Sequence, residues 1–393
     1  MRTKIGIAAV IALSGLVYAC GSIGASTYGD STGGRGPNEP GSSAADAGSA
    51  PFPAGDKLGP VDNAVILVHA AKSQSFRLCF KNESELDRRP QPDSQVMPEA
   101  NVVGVEVGSA VRLGPLKGAP GEIFLFDEPL IRAVYPQFGG NVGPTCRNLL
   151  SGSNPLSKIA VSLGTIDKDL STGVHLLVVR GCPGNGPLDK HSVAECGASW
   201  NATSGNLGVS EVELHGAYRP TNGTLPAQVV NLSQPLEGAR AGRDVVITFG
   251  DLVAPDAKVE KVASNPQLFG SAAPLEPAQL TYPTSDQAIY ATSGFRVQLA
   301  APGDGSAGKK VLEQTLQAIQ NLSSPRDLPP SYYATASNYA LLMLGDPDAK
   351  LADGGADSDE RRNLHFLAVA VVNPKKGDAG ADGGEPLDGG PAK

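Results

Sequence analysis

The chain has 393 residues, a formal net charge of −8, 5% aromatic residues, 48 glycines and 32 prolines. Its basic residues are scattered, with Arg88-Arg89, Lys309-Lys310 and Arg361-Arg362 as isolated pairs, so the basic stripe that neutralises phosphates is missing and nucleic acid is a poor partner. The Gly and Pro excess follows no Gly-X-Y period, which excludes collagen and leaves many short elements joined by tight turns.

The N-terminus carries two positive charges, Arg2 and Lys4, ahead of an apolar core from Ile5 to about Val17. That core is shorter than the roughly 20 residues a helix needs to span a bilayer. A basic end, an apolar core and a small residue before a cut are the zones of a secretion signal. The core ends in Leu16-Val17-Tyr18-Ala19-Cys20. This run resembles the lipobox of bacterial lipoproteins, which implies a signal peptide over 1–19 and a diacylglycerol on the Cys20 thiol, with an acyl group on its freed amine. One acyl chain gives only reversible attachment, whereas two or three, at about 0.8 kcal/mol per buried methylene, hold a protein on its membrane. Gly21 follows Cys20; in this sorting pattern an Asp there favours the inner membrane, so the resemblance implies the outer membrane or cell surface.

From Gly21 to about Gly59 the chain is Gly, Ser, Ala, Pro and Asp with few large apolar residues. It cannot bury enough surface to offset the entropy of ordering. Residues 20–59 are therefore expected to be a lipid-anchored tether with an end-to-end distance of about 35 Å. Within it Gly29-Asp30-Ser31-Thr32-Gly33-Gly34 looks like a serine-protease nucleophile loop, but all five histidines lie after Ser31, against the order His, Asp, Ser of that catalytic set.

Strand signals fill the next segment: Ala64 to Ala70, Ser75 to Phe80, Val102 to Val107, Ala110 to Leu113, Gly121 to Phe126, Ile159 to Leu163 and Val174 to Val179. A second set follows at Gln228 to Leu232, Asp244 to Phe249, Ala288 to Tyr290, Phe295 to Leu299 and a final strand. Short strands at this spacing predict sandwiches, one over 60–205 and one over 206–374. Both halves close on a Leu-Gly turn followed by a His entering an apolar strand: Leu163-Gly164 before His175, and Leu344-Gly345 before His365. This suggests a duplicated unit. Helical spacing is best at Lys309 to Leu322, through Leu312, Leu316 and Ile319, with a shorter segment at Asp127 to Tyr135 in the matching place of the first half. Both are expected to cover an open end of a sandwich. Residues 375–393 read as a disordered acidic tail.

Val65-Ile66-Leu67-Val68-His69-Ala70, and more faintly Gln228-Val229-Val230-Asn231-Leu232, resemble the opening strand of repeated Ig-like β-sandwich domains of unknown function in exported bacterial proteins. The fold class expected is mainly all-β: two tandem Ig-like sandwiches with a few short helices, flanked by tether and tail. That family has no assigned catalytic residues, so none are carried over.

With Cys20 reserved for lipid, Cys79, Cys146, Cys182 and Cys196 form an even set, as in proteins of oxidising compartments. Cys182 with Cys196 closes the loop bearing Pro183-Gly184-Asn185-Gly186-Pro187, leaving Cys79 with Cys146. Zinc is the competing reading, but there is no Cys-x-x-Cys and His191 is the single His between Cys182 and Cys196.

Glu211, Glu213 and His215 alternate, so a strand places them on one face. They are weak candidates for metal ligands, against the plainer reading of a solvated face. His175 and His365 are candidates for a repeated ligand pair. Asp346-Pro347-Asp348 and Asp357-Ser358-Asp359-Glu360 suggest a calcium loop, but Lys350 stands where a ligand is required and Leu351 replaces the essential Gly. Trp200, the single Trp, is expected to pack at the junction of the halves or to anchor a ligand. No phosphate-cradling loop is present. The sequence thus predicts a non-enzymatic envelope protein without a cofactor, held to a membrane through acyl chains on Cys20 and binding a protein or glycan. The rival is a hydrolase or metal-dependent enzyme using the Glu211/Glu213/His215 stripe.

Overall fold

The computed structural model describes residues 63–81, 104–136 except 114, 115 and 117, 144–185, 191–214, 224–236, 243–254, 259–266, 278–281, 291–303, 308–323, 338–347 and 362–371. Cys20, the signal, the tether, the tail, Ala288 to Tyr290, His215 and Asp357 to Glu360 lie outside these residues. The fold is all-β and sandwich-like, with short helices.

In the first half β1 (Ala64–His69), β3 (Ala110–Leu113), β6 (Val174–Arg180) and β7 (Gly208–Leu214) form a sheet of order β3-β1-β6-β7, with β1 and β6 parallel. Against it lies an antiparallel sheet of β2 (Phe76–Lys81), β4 (Gly121–Asp127) and β5 (Val161–Ile166), in the order β2-β4-β5. In the second half β8 (Thr224–Asn231), β11 (Ala278–Thr281), β14 (Asn338–Leu344) and β15 (His365–Val371) form a sheet of order β11-β8-β14-β15, with β8 and β14 parallel. Its partner sheet contains β9 (Asp244–Asp251), β10 (Glu260–Ser264), β12 (Ser293–Ala300) and β13 (Lys309–Thr315) in the order β10-β9-β12-β13.

The two sandwiches stand back to back, because alternate residues of the inner strands serve different cores. Val65 and Leu67 of β1 pack with Phe76, Leu78, Ile123 and Leu177 inside the first sandwich. Ile66 and Val68 face the other way and pack with Leu176 and Val178 against Val230, Leu342 and Val369 of the second half. Leu341 and Met343 of β14 complete the third core with Ile247, Phe295 and Phe366. With both faces covered, these strands read as unbroken apolar runs instead of alternating ones. The described residues fall within one compact unit. Since β7 pairs with β6, the first sandwich runs through Leu214, beyond the expected division at 205.

The inner sheets of the two halves have the same order and the same parallel central pair. β1 therefore matches β8, as the opening-strand likeness suggested. Even the exit bond is shared: Ala70 N–H donates to Val179 O at 2.8 Å and Leu232 N–H to Met343 O at 2.9 Å. The likeness between strand endings is corrected, because sheet order sets β6 against β14 and β7 against β15. His175 and His365 enter strands that resemble each other through two-faced burial, not through equivalent position.

The helix expected over Lys309 to Leu322 is also corrected. Lys309 to Thr315 pairs with β12 as a strand, and only α4 (Leu316–Ser323) is helical; in chain order it follows α1 (Glu128–Val134), α2 (Cys146–Leu150) and α3 (Val193–Cys196). Val311 and Leu312 pack on the third core from a strand, so pairing overrides a spacing that local sequence offers equally to a helix. α1 follows β4, whereas α4 follows β13, so the two do not occupy matching places. α1 and α2 cover the outer face of β2-β4-β5, with Ile131 and Leu149 packed on Phe126 and on Cys79 and Cys146. Of Val102 to Val107, Val105 makes an isolated bridge to Phe76.

Candidate functional site

β7 places Glu211 and Glu213 on the face opposite Val212 and Leu214, which turn toward the core between the halves. The neighbouring strand β6 supplies His175, directly across from Glu213 in the register. The loop between β5 and β6 supplies Lys168, whose Nζ lies 3.0 Å from Glu211 Oε1 and 3.2 Å from Glu213 Oε2. His175 Nδ1 is 2.7 Å from Glu211 Oε1 and its Nε2 is 2.7 Å from Thr172 O. Burial works against the charge of Glu211, but hydrogen bonds from His175 and Lys168 hold its carboxyl below the usual range. Burial likewise opposes the Lys168 charge, and the two carboxylates hold its ammonium above its ordinary value.

Glu211 and Glu213 of the stripe are thus drawn, with Lys168 and His175, into a four-residue clasp that fastens the β5–β6 loop to β7; His215 lies outside the described residues. The Lys168 ammonium lies between both carboxylates and pairs with each. Both bonds to Glu211, from Lys168 and from His175, end on its Oε1. His365 is not part of this cluster. Its Nδ1 meets Asn363 O at 2.7 Å and its Nε2 meets Gly108 O at 2.8 Å, pinning the second half to the turn before β3.

Both disulfides pair as the spacing suggested: Cys79–Cys146 with Cα atoms 5.4 Å apart and Cys182–Cys196 at 5.8 Å, within the usual range. The ligand atoms of Cys182, His191 and Cys196 lie within 4.8 Å of one another, but the two sulfurs are bonded to each other. Trp200 packs on this second bridge with 8% of its surface exposed, and its indole N–H donates to Pro183 O at 2.8 Å. Its seat is therefore the disulfide loop.

Two buried groups were missed in the sequence. Arg77, on β2 between Phe76 and Leu78, donates to Glu128 Oε1 at 3.0 Å beneath α1, and Arg132 Nε adds a bond of 2.9 Å. An Arg inside an alternating apolar strand reads as solvent-facing until the helices above it are known. His69 is fully buried, its Nε2–H donating to Gln74 O at 3.0 Å, and burial pushes its pKa down to about 4.

A cleft of about 480 Å³ opens where the disulfide loop and β6–β7 meet the second half. Arg180, Ser199, Asn206 and Gln234 are among its polar lining, and Ala70 and Leu232 among its apolar lining. Gly197 borders it with φ of +88°, a conformation that L side chains rarely adopt. Neither protein-family models, nor curated proteins, nor solved structures give a match to the chain.

Proposed function

We propose that the chain is a lipid-anchored envelope protein whose paired sandwiches form a non-enzymatic binding or structural module at the outer membrane or cell surface. The observation that carries this reading is the Lys168–Glu211–Glu213–His175 clasp, in which Lys168 pairs with both carboxylates and His175 meets Glu211. The Cys20 motif supplies the anchor, and two disulfides suit an oxidising compartment. The test is a panel of ester, peptide and glycoside substrates together with metal analysis of the purified protein. The expected result is no turnover and far less than one metal ion per chain. Hydrolysis abolished by alanine at Glu211, Glu213 or His215, or stoichiometric metal, would establish the enzyme reading instead.

A further inference from the structure

We propose that Cys182, Cys196 and His191 form a redox-gated zinc site, disulfide-bonded and metal-free when oxidised and holding one Zn²⁺ on two thiolates and an imidazole when reduced. This site depends on neither the anchor nor the absence of catalysis. Donor geometry comes first. One ligand atom from each of the three residues lies within 4.8 Å of the others. With Zn–S of about 2.3 Å and Zn–N of about 2.0 Å, the donors of a tetrahedral site stand roughly 3.3–3.8 Å apart, so side-chain rotation closes the set around an ion. Ligation takes one ring nitrogen of His191 and leaves the other for a hydrogen bond. Among the described residues the Cys79–Cys146 bridge has no comparable third donor; it packs with Phe126, Ile131, Leu149 and Leu156.

Preorganisation comes second, because the two cysteines are held together by more than their sulfurs. Asn206 Oδ1 accepts from Cys182 N–H at 2.9 Å, its Nδ2 donates to Cys196 O at 3.0 Å, and its backbone N–H donates to Cys182 O at 2.9 Å. One side chain thus bridges both cysteine backbones and keeps the thiols adjacent once the S–S bond is gone. His191 N–H donates to Asn185 Oδ1 at 2.7 Å and Asn185 N–H to Ala202 O at 2.8 Å, which ties the third donor to the same loop. Access comes third: Cys196 borders the cleft and His191 is half-buried. The chemistry balances. A dithiol reductant gives up two electrons and two protons, becomes a disulfide itself and leaves Cys182 and Cys196 as thiols. Zn²⁺ then displaces both thiol protons to solvent, forms two Zn–S bonds and one Zn–N bond, and keeps a water as fourth ligand. Two thiolates cancel the dication and the imidazole is neutral, so a site built on two buried cysteines carries no net charge.

The test is a Co²⁺ titration of the full chain carrying Cys20→Ser, reduced with dithiothreitol and desalted without oxygen, its free thiols counted, beside the same chain left oxidised. Co²⁺ reports thiolate ligation by a charge-transfer band in the near ultraviolet. Trp200, packed on the cysteine pair, reports the position of the ion by quenching of its emission. The reduced chain should gain the band and lose Trp200 emission in step, saturating at one ion per chain, and one equivalent of Zn²⁺ should reverse both. The oxidised chain should show neither signal. His191→Ala should weaken Co²⁺ binding about tenfold or more, since even outer-shell partners of metal ligands are worth that much. A bridge that resists dithiothreitol, a reduced chain without the band, a band without quenching of Trp200, or equal binding by the oxidised chain overturns the assignment even if His191→Ala fails to fold. So does a folded His191→Ala chain that binds Co²⁺ as tightly as its parent. Metal bound before reduction counts for the enzyme reading above, and metal bound only after reduction counts for this site.

Discussion

His69 and Asn231 hold the same place at the exit of the first inner strand of each half, and they solve one problem with different chemistry. Asn231 Nδ2 donates to Leu236 O at 3.0 Å and Pro266 O at 2.9 Å, while His69 reaches Gln74 O. The amide is neutral at every pH, but the imidazole must stay neutral to remain buried. Its folded pKa, about 4, lies below the 6.5 of an unperturbed His. Between these values the unfolded chain binds the extra proton, so stability is full above about pH 6.5 and is lost as pH falls toward about 4. The size is about 3 kcal/mol, at 1.36 kcal/mol per pKa unit. Chemical denaturation from pH 7 to pH 4 should show His69→Asn losing less stability than wild type by roughly that amount. Equal losses would refute the account of His69. The two ion-pair sites separate in the same way by burial. Glu128→Gln leaves the Arg77 guanidinium buried without its charge partner and should cost about 3–5 kcal/mol. Lys168→Ala removes a side chain that is 44% exposed and should cost about 1 kcal/mol or less in the same denaturation experiment.

At the scale of elements, the strands with both faces buried were legible because their composition admits no other environment, and the disulfide pairing was legible because a short Gly/Pro loop lay between Cys182 and Cys196. Leu312, Leu316 and Ile319 misled because a strand running into a helix mimics helical spacing across the break. Only pairing with β12, distant in sequence, decides between them. The Leu-Gly and His signature misled for a related reason: His175 and His365 share a burial environment on strands that are not equivalent. The Glu211/Glu213 stripe was correctly placed on one strand face, but its meaning depended on Lys168, 43 residues earlier, which no local pattern announces. The Cys182–Cys196 bridge offers a direct test at this scale. Replacing both with Ser should lower stability by about 3 kcal/mol, as expected for a loop of this length. It should also shift the single-Trp emission to longer wavelength, as Trp200 loses its seat on the bridge. An unchanged spectrum would separate Trp200 from the disulfide.

Across the whole molecule, the back-to-back arrangement makes each half the cover of the other. Leu342 belongs to the second half but packs with Ile66 and Leu176 of the first. Leu342→Ala should cost about 2–5 kcal/mol and lower the unfolding midpoint reported by Trp200, a first-half probe. A midpoint unmoved by this substitution would mean that the halves unfold independently. The proposed anchor at Cys20 would give this stack its address, with some 40 residues between the acyl chains and β1. Labelling with an alkynyl fatty acid in a bacterial host, followed by membrane fractionation, decides that question. The wild-type chain should take the label and sediment with membranes, and the Cys20→Ser chain should do neither. Undiminished label and membrane partition in the Cys20→Ser chain would contradict the lipoprotein reading.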